Sequence, residues 1–285
     1  MGAPELYPSG TGEPIRPPPQ AYRWSASMQG TRLEVKQLWN HRHCPPGAPR
    51  GRCGLYTPAS RWRLLQKFAT VNWDIHDGIL LITLTYPDSI GHVPYEKRTT
   101  QRNLFHRYVE KYLGGPTAMV WRVEHVERKS GWREGDLMPH IHLLVFARTG
   151  IPWQLVREWW RQLLHYEGPL ATDIRRIQGA GRAAAYAAKY AAKGASSSLD
   201  IAAYLDSPVI GRAWGIRREK LIATHERIEI ETLSEAEVLR VRALLDLASG
   251  TDRRYQGGSY TVLGKLAQLG YEALCEGMDI DVGDG

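Results

Sequence analysis

The run Pro139-His140-Ile141-His142-Leu143-Leu144-Val145-Phe146 constrains this chain more than any other segment. It is apolar except for two histidines two positions apart. On a strand, side chains at i and i+2 share a face, so His140 and His142 project together. Ile141, Leu143 and Val145 then fill the opposite face. Buried imidazoles need polar partners. The strand rise puts the two side-chain bases about 6–7 Å apart, close enough to converge on one ion. The alternative for a bare His-x-His is a pair of hydrogen-bonded histidines with no ligand.

The flanking sequence predicts further strands and helices. Ser60–Val71 reads as a helix with Ser60 as N-cap and Leu64, Leu65 and Phe68 as its apolar stripe. Ile79–Tyr86 is a β-branched, apolar strand stopped by Pro87. Thr99–Leu113 reads as a helix ended by Gly114-Gly115. Thr117–Val126 is a second strand, joined to the histidine strand by the polar connection Glu127–Pro139. Trp153–Tyr166 reads as a helix, Thr172–Ile177 as a short strand, and Ala183–Lys193 as a helix by its alanines. Adjacent strands among helices predict an α+β fold with helices covering one sheet face.

Two constellations join the histidines. In Trp121-Arg122-Val123-Glu124-His125, Arg122 and Glu124 share one face of the strand. Hairpin pairing with His140–Phe146 would bring Glu124 to the histidine face. Two imidazoles and a carboxylate, with positions left for water and phosphate oxygen, suit Mg²⁺ or Mn²⁺. An ion pair of Glu124 with Arg122 is the plainer reading, and His125 is a competing ligand. In Ala185-Tyr186-Ala187-Ala188-Lys189-Tyr190-Ala191-Ala192-Lys193, Tyr186 and Tyr190 lie one helical turn apart, as do Lys189 and Lys193. The small alanines would let DNA approach. A phenol with an ordinary pKa of about 10 needs help to attack near neutral pH. Charge stabilisation by a metal and a lysine would supply it. The plainer reading is a core stripe with solvated lysines.

Charge is distributed unevenly. The chain of 285 residues has a net charge of +7. From Leu221 onward there are 6 basic and 12 acidic residues, so residues 1–220 carry a net +13. A basic body suggests a polyanionic partner, with nucleic acid the first candidate. Arg175, Arg176, Arg182, Arg212, Arg217, Arg218 and Lys220 form a candidate phosphate-binding set. No apolar run approaches a membrane span, and no leader is evident, so a cytoplasmic location is expected. Three cysteines do not suggest a disulfide framework. The expected organisation is a Pro- and Arg-rich arm and loop over 1–55, a central domain over 56–220, and an acidic helical extension over 221–285. Ser234 and Glu237 have capping-box spacing at the start of a helix over Ser234–Leu247.

Taken in order, the motifs resemble the rolling-circle replication initiators of the HUH endonuclease superfamily. The first is Leu81-Ile82-Thr83-Leu84-Thr85-Tyr86-Pro87, the second His140-Ile141-His142, the third the doubled Tyr-x-x-Lys of Tyr186–Lys193. The doubled tyrosine is similar to gene A-type initiators of single-stranded DNA phages. The likeness spans roughly Ser60–Lys193, and Gly211-Arg212-Ala213-Trp214-Gly215 also resembles this group, which brings Trp214 into the expected DNA contacts. It implies an RRM-like antiparallel sheet, the HUH endonuclease fold, with the histidines on a central strand; the small C-terminal helical extension read from the residues lies beyond the likeness. It implies His140, His142 and Glu124 as ligands of Mg²⁺ or Mn²⁺. Tyr186 and Tyr190 would be nucleophiles on single-stranded origin DNA, with Lys189 and Lys193 at the phosphate. A host helicase and polymerase would be the protein partners.

Several features depart from the wider superfamily. Gly258–Leu266 has the wrong glycine spacing for a P-loop and Leu266 where Ser or Thr would hold Mg²⁺, so no ATPase is expected. His41, His43, Cys44 and Cys53 are candidate zinc ligands with irregular spacing. Rival readings are a transposase or relaxase of the same superfamily, and a non-catalytic RRM-like nucleic-acid-binding protein.

Overall fold

The computed structural model describes residues 23–38, 58–76, 78–91, 93–127, 134–135, 137–192, 213–249 and 260–276. The residues His41, His43, Cys44, Cys53, Lys193 and Arg212 lie outside them. The chain is α+β, with antiparallel sheets and, among the described residues, six α-helices.

The larger sheet has five strands: β3 (Ile79–Thr85), β4 (Met119–Glu127), β5 (Leu137–Val145), β6 (Thr172–Ile177) and β7 (Trp214–Arg217). Their order is β6-β3-β5-β4-β7, every neighbouring pair antiparallel. The histidine strand β5 is therefore central.

Helices cover both faces of this sheet, which corrects the expectation of one covered face. On one side α2 (Tyr95–Tyr112) and α3 (Trp153–Leu164) pack against Leu80, Ile82, Leu84, Ile141, Leu143 and Val145. On the other, α1 (Pro58–Thr70) and α4 (Ala180–Ala192) pack against Ile79, Leu81, Val120 and Leu144. The reason is visible in β3, Ile-Leu-Leu-Ile-Thr-Leu-Thr, which has no polar face over its first four residues. A strand apolar on both sides needs cover on both sides.

Residues 23–38, 227–233 and 260–263 meet in a second sheet, of order β8-β1-β2-β9. The hairpin β1 (Arg23–Gln29) and β2 (Arg32–Leu38) is flanked by β8 (Arg227–Leu233) and β9 (Tyr260–Leu263). Helices α5 (Glu235–Ser249) and α6 (Lys265–Glu276) close its core of Trp24, Met28, Leu33, Val35, Val241 and Leu274. An arm and a helical extension are thus the wrong description of residues 23–38 and 227–276. Trp24, Ala26, Met28 and Leu33, Val35 alternate inward on either side of a turn at Gly30. That turn docks on the larger unit: Thr31 N donates to Ala69 O (2.9 Å), and a Cβ on Gly30 would stand 2.5 Å from the same oxygen. The capping box at α5 forms, with Ser234 N donating to Glu237 Oε2 (2.6 Å) and Glu237 N to Ser234 Oγ (3.3 Å).

Among the described residues no helix is long and apolar enough to cross a membrane.

Candidate functional site

The site is built on the α1/α4 face of the larger sheet. His140 and His142 share that face with Leu144, while Ile141, Leu143 and Val145 are fully buried on the other. The two imidazoles lie nearly parallel, their centroids 6.3 Å apart and their planes 18° apart.

Register decides what meets the rings. On β3, Thr83 pairs with His142 and Thr85 with His140. Thr83 Oγ1 lies 3.1 Å from His142 Nδ1, and Thr85 Oγ1 lies 3.2 Å from His140 Nδ1. On β4, Arg122 pairs with His142 and Glu124 with His140. Glu124 reaches diagonally, and its Oε2 stands 3.0 Å from His142 Nε2. Expected ligands His140, His142 and Glu124 are thereby brought together. His125 points to the opposite face, where Arg98 Nη1 lies 3.1 Å from its Nε2, so it is no competitor of Glu124.

Helix α4 brings the tyrosines. It leaves the sheet after Ile177, which pairs with Ile79 at the end far from His140, and runs back over the face toward the histidines. Ala183, Ala187 and Ala191 are fully buried against the sheet, their small side chains letting the helix lie close. Tyr190 arrives at His142: its hydroxyl donates to His142 O (3.0 Å), and its ring meets the imidazole edge-on at 6.0 Å. Arg122, 1% exposed, donates from Nη1 to Tyr190 O at 3.2 Å. It thus ties the C-terminal part of α4 to the sheet, where helix carbonyls favour a cation. Tyr186 is half-buried one turn back, about 6 Å from Tyr190 along the helix axis. Lys189 is exposed. Tyr86, in the first motif, faces away: its hydroxyl donates to Gln101 Oε1 (3.0 Å) and burial pushes its phenol pKa up.

The expected DNA-contacting residues do not form one patch. Arg175, Arg176 and Arg182 are exposed at the β6 edge, where Arg175 Nε also bonds Asp173 Oδ2 at 2.8 Å. Trp214, Arg217 and Arg218 lie at or beside β7, the opposite edge, with Trp214 half-buried. Arg217 grips Glu110 with Nε (3.0 Å) and Nη2 (2.6 Å), and Arg218 Nε adds a third hydrogen bond at 3.2 Å. The Arg217 hydrogen bonds, followed by those of Arg218, hold the Glu110 carboxyl below its ordinary pKa. Arg217 and Arg218 therefore tie β7 to α2 through Glu110, Arg217 half-buried and Arg218 exposed.

Sequence reasoning missed the contacts of Thr83, Thr85 and Arg122. A Thr-x-Thr strand beside a His-x-His strand carried the signal, because antiparallel pairing keeps both periods in step.

Among the described residues no group of three or more histidine, cysteine, aspartate or glutamate side chains stands close enough to cage an ion. The chemistry of the donors nevertheless fits one: two imidazoles and a carboxylate on one face, with Glu124 already at His142 Nε2. Comparison with protein-family models, with curated proteins and with solved structures returns no match for this chain.

Proposed function

We propose that this protein is a metal-dependent nickase and strand transferase of single-stranded DNA, acting as a rolling-circle replication initiator of the HUH type. One observation carries the reading: a tyrosine on a covering helix lies directly on the strand bearing the histidine pair, with Tyr190 Oη 3.0 Å from His142 O.

In this reading His140, His142 and Glu124 hold Mg²⁺ or Mn²⁺. The bound ion would supply Lewis-acid polarisation of the scissile phosphate and offset its developing charge. Everything else falls to the protein. Tyr190 leaves the His142 carbonyl, gives up its phenolic proton to solvent water and bonds through Oη to phosphorus. The bond from phosphorus to the 3′ oxygen breaks, and that oxygen takes a proton, leaving a 5′-phosphotyrosine link and a free 3′-OH. Lys189, exposed beside the tyrosines, meets the phosphate from the solvent side. A host polymerase extends the 3′-OH while a host helicase unwinds. Attack by Tyr186 or by the new 3′-OH then transfers and rejoins the displaced strand. The exposed arginines of the β6 edge, Arg175, Arg176 and Arg182, are the better candidates for backbone contact.

The test is strand cleavage of end-labelled single-stranded oligonucleotides from the protein's own replicon, with Mn²⁺ or EDTA. The reading requires metal-dependent cleavage that leaves an extendable 3′ end. Tight binding without cleavage of any origin strand would favour the non-catalytic binding module.

A further inference from the structure

The first motif is left without chemistry by this mechanism, although its two threonines touch both histidines. We propose that Thr83 and Thr85 are positioning residues whose hydroxyls fix the rings of His142 and His140, so that both Nε2 atoms turn toward the β4 side that carries Glu124. The proposal rests on the metal-site reading above and deepens it.

Two hydrogen bonds carry the argument, and they are the same bond made twice. Each threonine sits directly opposite its histidine, and each Oγ1 reaches Nδ1, at 3.1 Å for Thr83 and 3.2 Å for Thr85. A ring held at Nδ1 from the β3 side turns its Nε2 away from β3. The two rings agree in orientation to within 18°, and His142 Nε2 does meet Glu124. Threonine is suited to this in two ways. Its β-branch limits χ1, so the hydroxyl is aimed at little entropic cost. A hydroxyl both donates and accepts, so it holds an imidazole in either tautomer. When Nε2 binds a metal, the proton must sit on Nδ1, and an oxygen there accepts it. Metal-ligating histidines nearly always pass that N–H to such an oxygen.

The experiment compares wild type with Thr83→Val and Thr85→Val, singly and together, and with the corresponding serine variants. Valine keeps the shape and β-branch; serine keeps the hydroxyl. Two readouts are needed: ring ¹⁵N NMR of the histidines in metal-free protein, and Mn²⁺ affinity by calorimetry. The expected result is an Nδ1 signal at a hydrogen-bonded shift for each ring in wild type and loss of that shift in the double valine variant, where no hydroxyl reaches Nδ1. Mn²⁺ affinity should fall roughly ten- to a hundredfold in that variant. Serine should restore both, and all variants should melt as folded proteins. Valine variants with unchanged Nδ1 shifts and unchanged Mn²⁺ affinity would overturn the proposal and leave the metal site standing. Wild type that binds Mn²⁺ no better than a His140→Ala/His142→Ala protein would overturn the metal reading instead. The NMR measurement would then decide by itself whether the threonines hold the rings.

Discussion

Tyr190 and His142 are joined by a hydrogen bond from the phenol to the main-chain oxygen, 3.0 Å long, in a setting that leaves Tyr190 only 7% exposed. The nucleophile of the proposed reaction thus rests on the strand that carries His140 and His142. Removing the hydroxyl leaves a carbonyl short of one partner. Tyr190→Phe should therefore lower stability by about 0.5–1.5 kcal/mol. Tyr186 is only half-buried, so Tyr186→Phe should change stability by less than about 0.5 kcal/mol. Urea unfolding of both variants checks the contrast, and equal losses would contradict it.

Gly215 on β7 pairs with Trp121 on β4. A Cβ at Gly215 would stand 2.8–2.9 Å from three atoms of the indole. That ring already carries the Arg102 guanidinium 3.5 Å from its centroid, which limits where it can move. Gly215→Ala should destabilise by about 1–3 kcal/mol through overpacking. Gly181, on α4 with open space around its missing Cβ, is the control: Gly181→Ala should stabilise by up to about 1 kcal/mol. Thermal melts of the two variants should move in opposite directions.

His106 supplies a pH signature. It is 1% exposed on α2, its Nε2 has no hydrogen-bond partner, and burial with Arg102 and Arg217 nearby lowers its pKa to about 3. In the unfolded chain it titrates near 6.5. Between those values the unfolded state binds the extra proton. Its contribution to stability is therefore full above pH 6.5 and lost as pH falls toward 3, by up to about 1.4 kcal/mol per pH unit. Urea unfolding between pH 7 and 4 should show this slope, and His106→Leu should flatten it. An unchanged slope in the variant would assign the effect elsewhere.

The two basic edges should behave differently toward DNA. Arg182 is exposed near the β6 edge, whereas Arg217 is engaged by Glu110. Arg182→Ala should weaken single-strand binding and reduce the salt slope by about 0.7 for each phosphate the side chain had neutralised. Arg217→Ala should leave that slope alone and lower stability, because a partly buried carboxylate is then deprived of its bidentate partner. A salt-dependent weakening of binding with Arg217→Ala but not with Arg182→Ala would reverse the assignment.

Much of the site was legible because strands carry their geometry in a period of two. The spacing of His140 and His142 gave their shared face, and hairpin pairing with Thr117–Val126 gave Glu124 its approach. The helix spacing of Tyr186 and Tyr190 was readable too, but their inequality was not. It follows from the direction in which α4 crosses the sheet, a tertiary fact. The same holds for Arg217, whose partner Glu110 is 107 residues away. The inward alternation of Trp24, Ala26 and Met28 was present in the sequence. Its partner strand β8 lies roughly two hundred residues on, and no local pattern names it. Cover on both sheet faces was foreshadowed by the first four residues of β3, which a one-faced sheet would not tolerate.

The measurement that tests the central claim most directly is covalent capture. Wild type, Tyr186→Phe, Tyr190→Phe and the double variant would be incubated with 5′-labelled and 3′-labelled origin strands and Mn²⁺, then run on denaturing gels. The account predicts an SDS-resistant adduct carrying only the 3′ label. It should be abolished by EDTA, reduced at least tenfold by Tyr190→Phe, reduced less by Tyr186→Phe, and absent from the double variant. An adduct that survives in the double variant, or cleavage by wild type with no adduct at all, would contradict it.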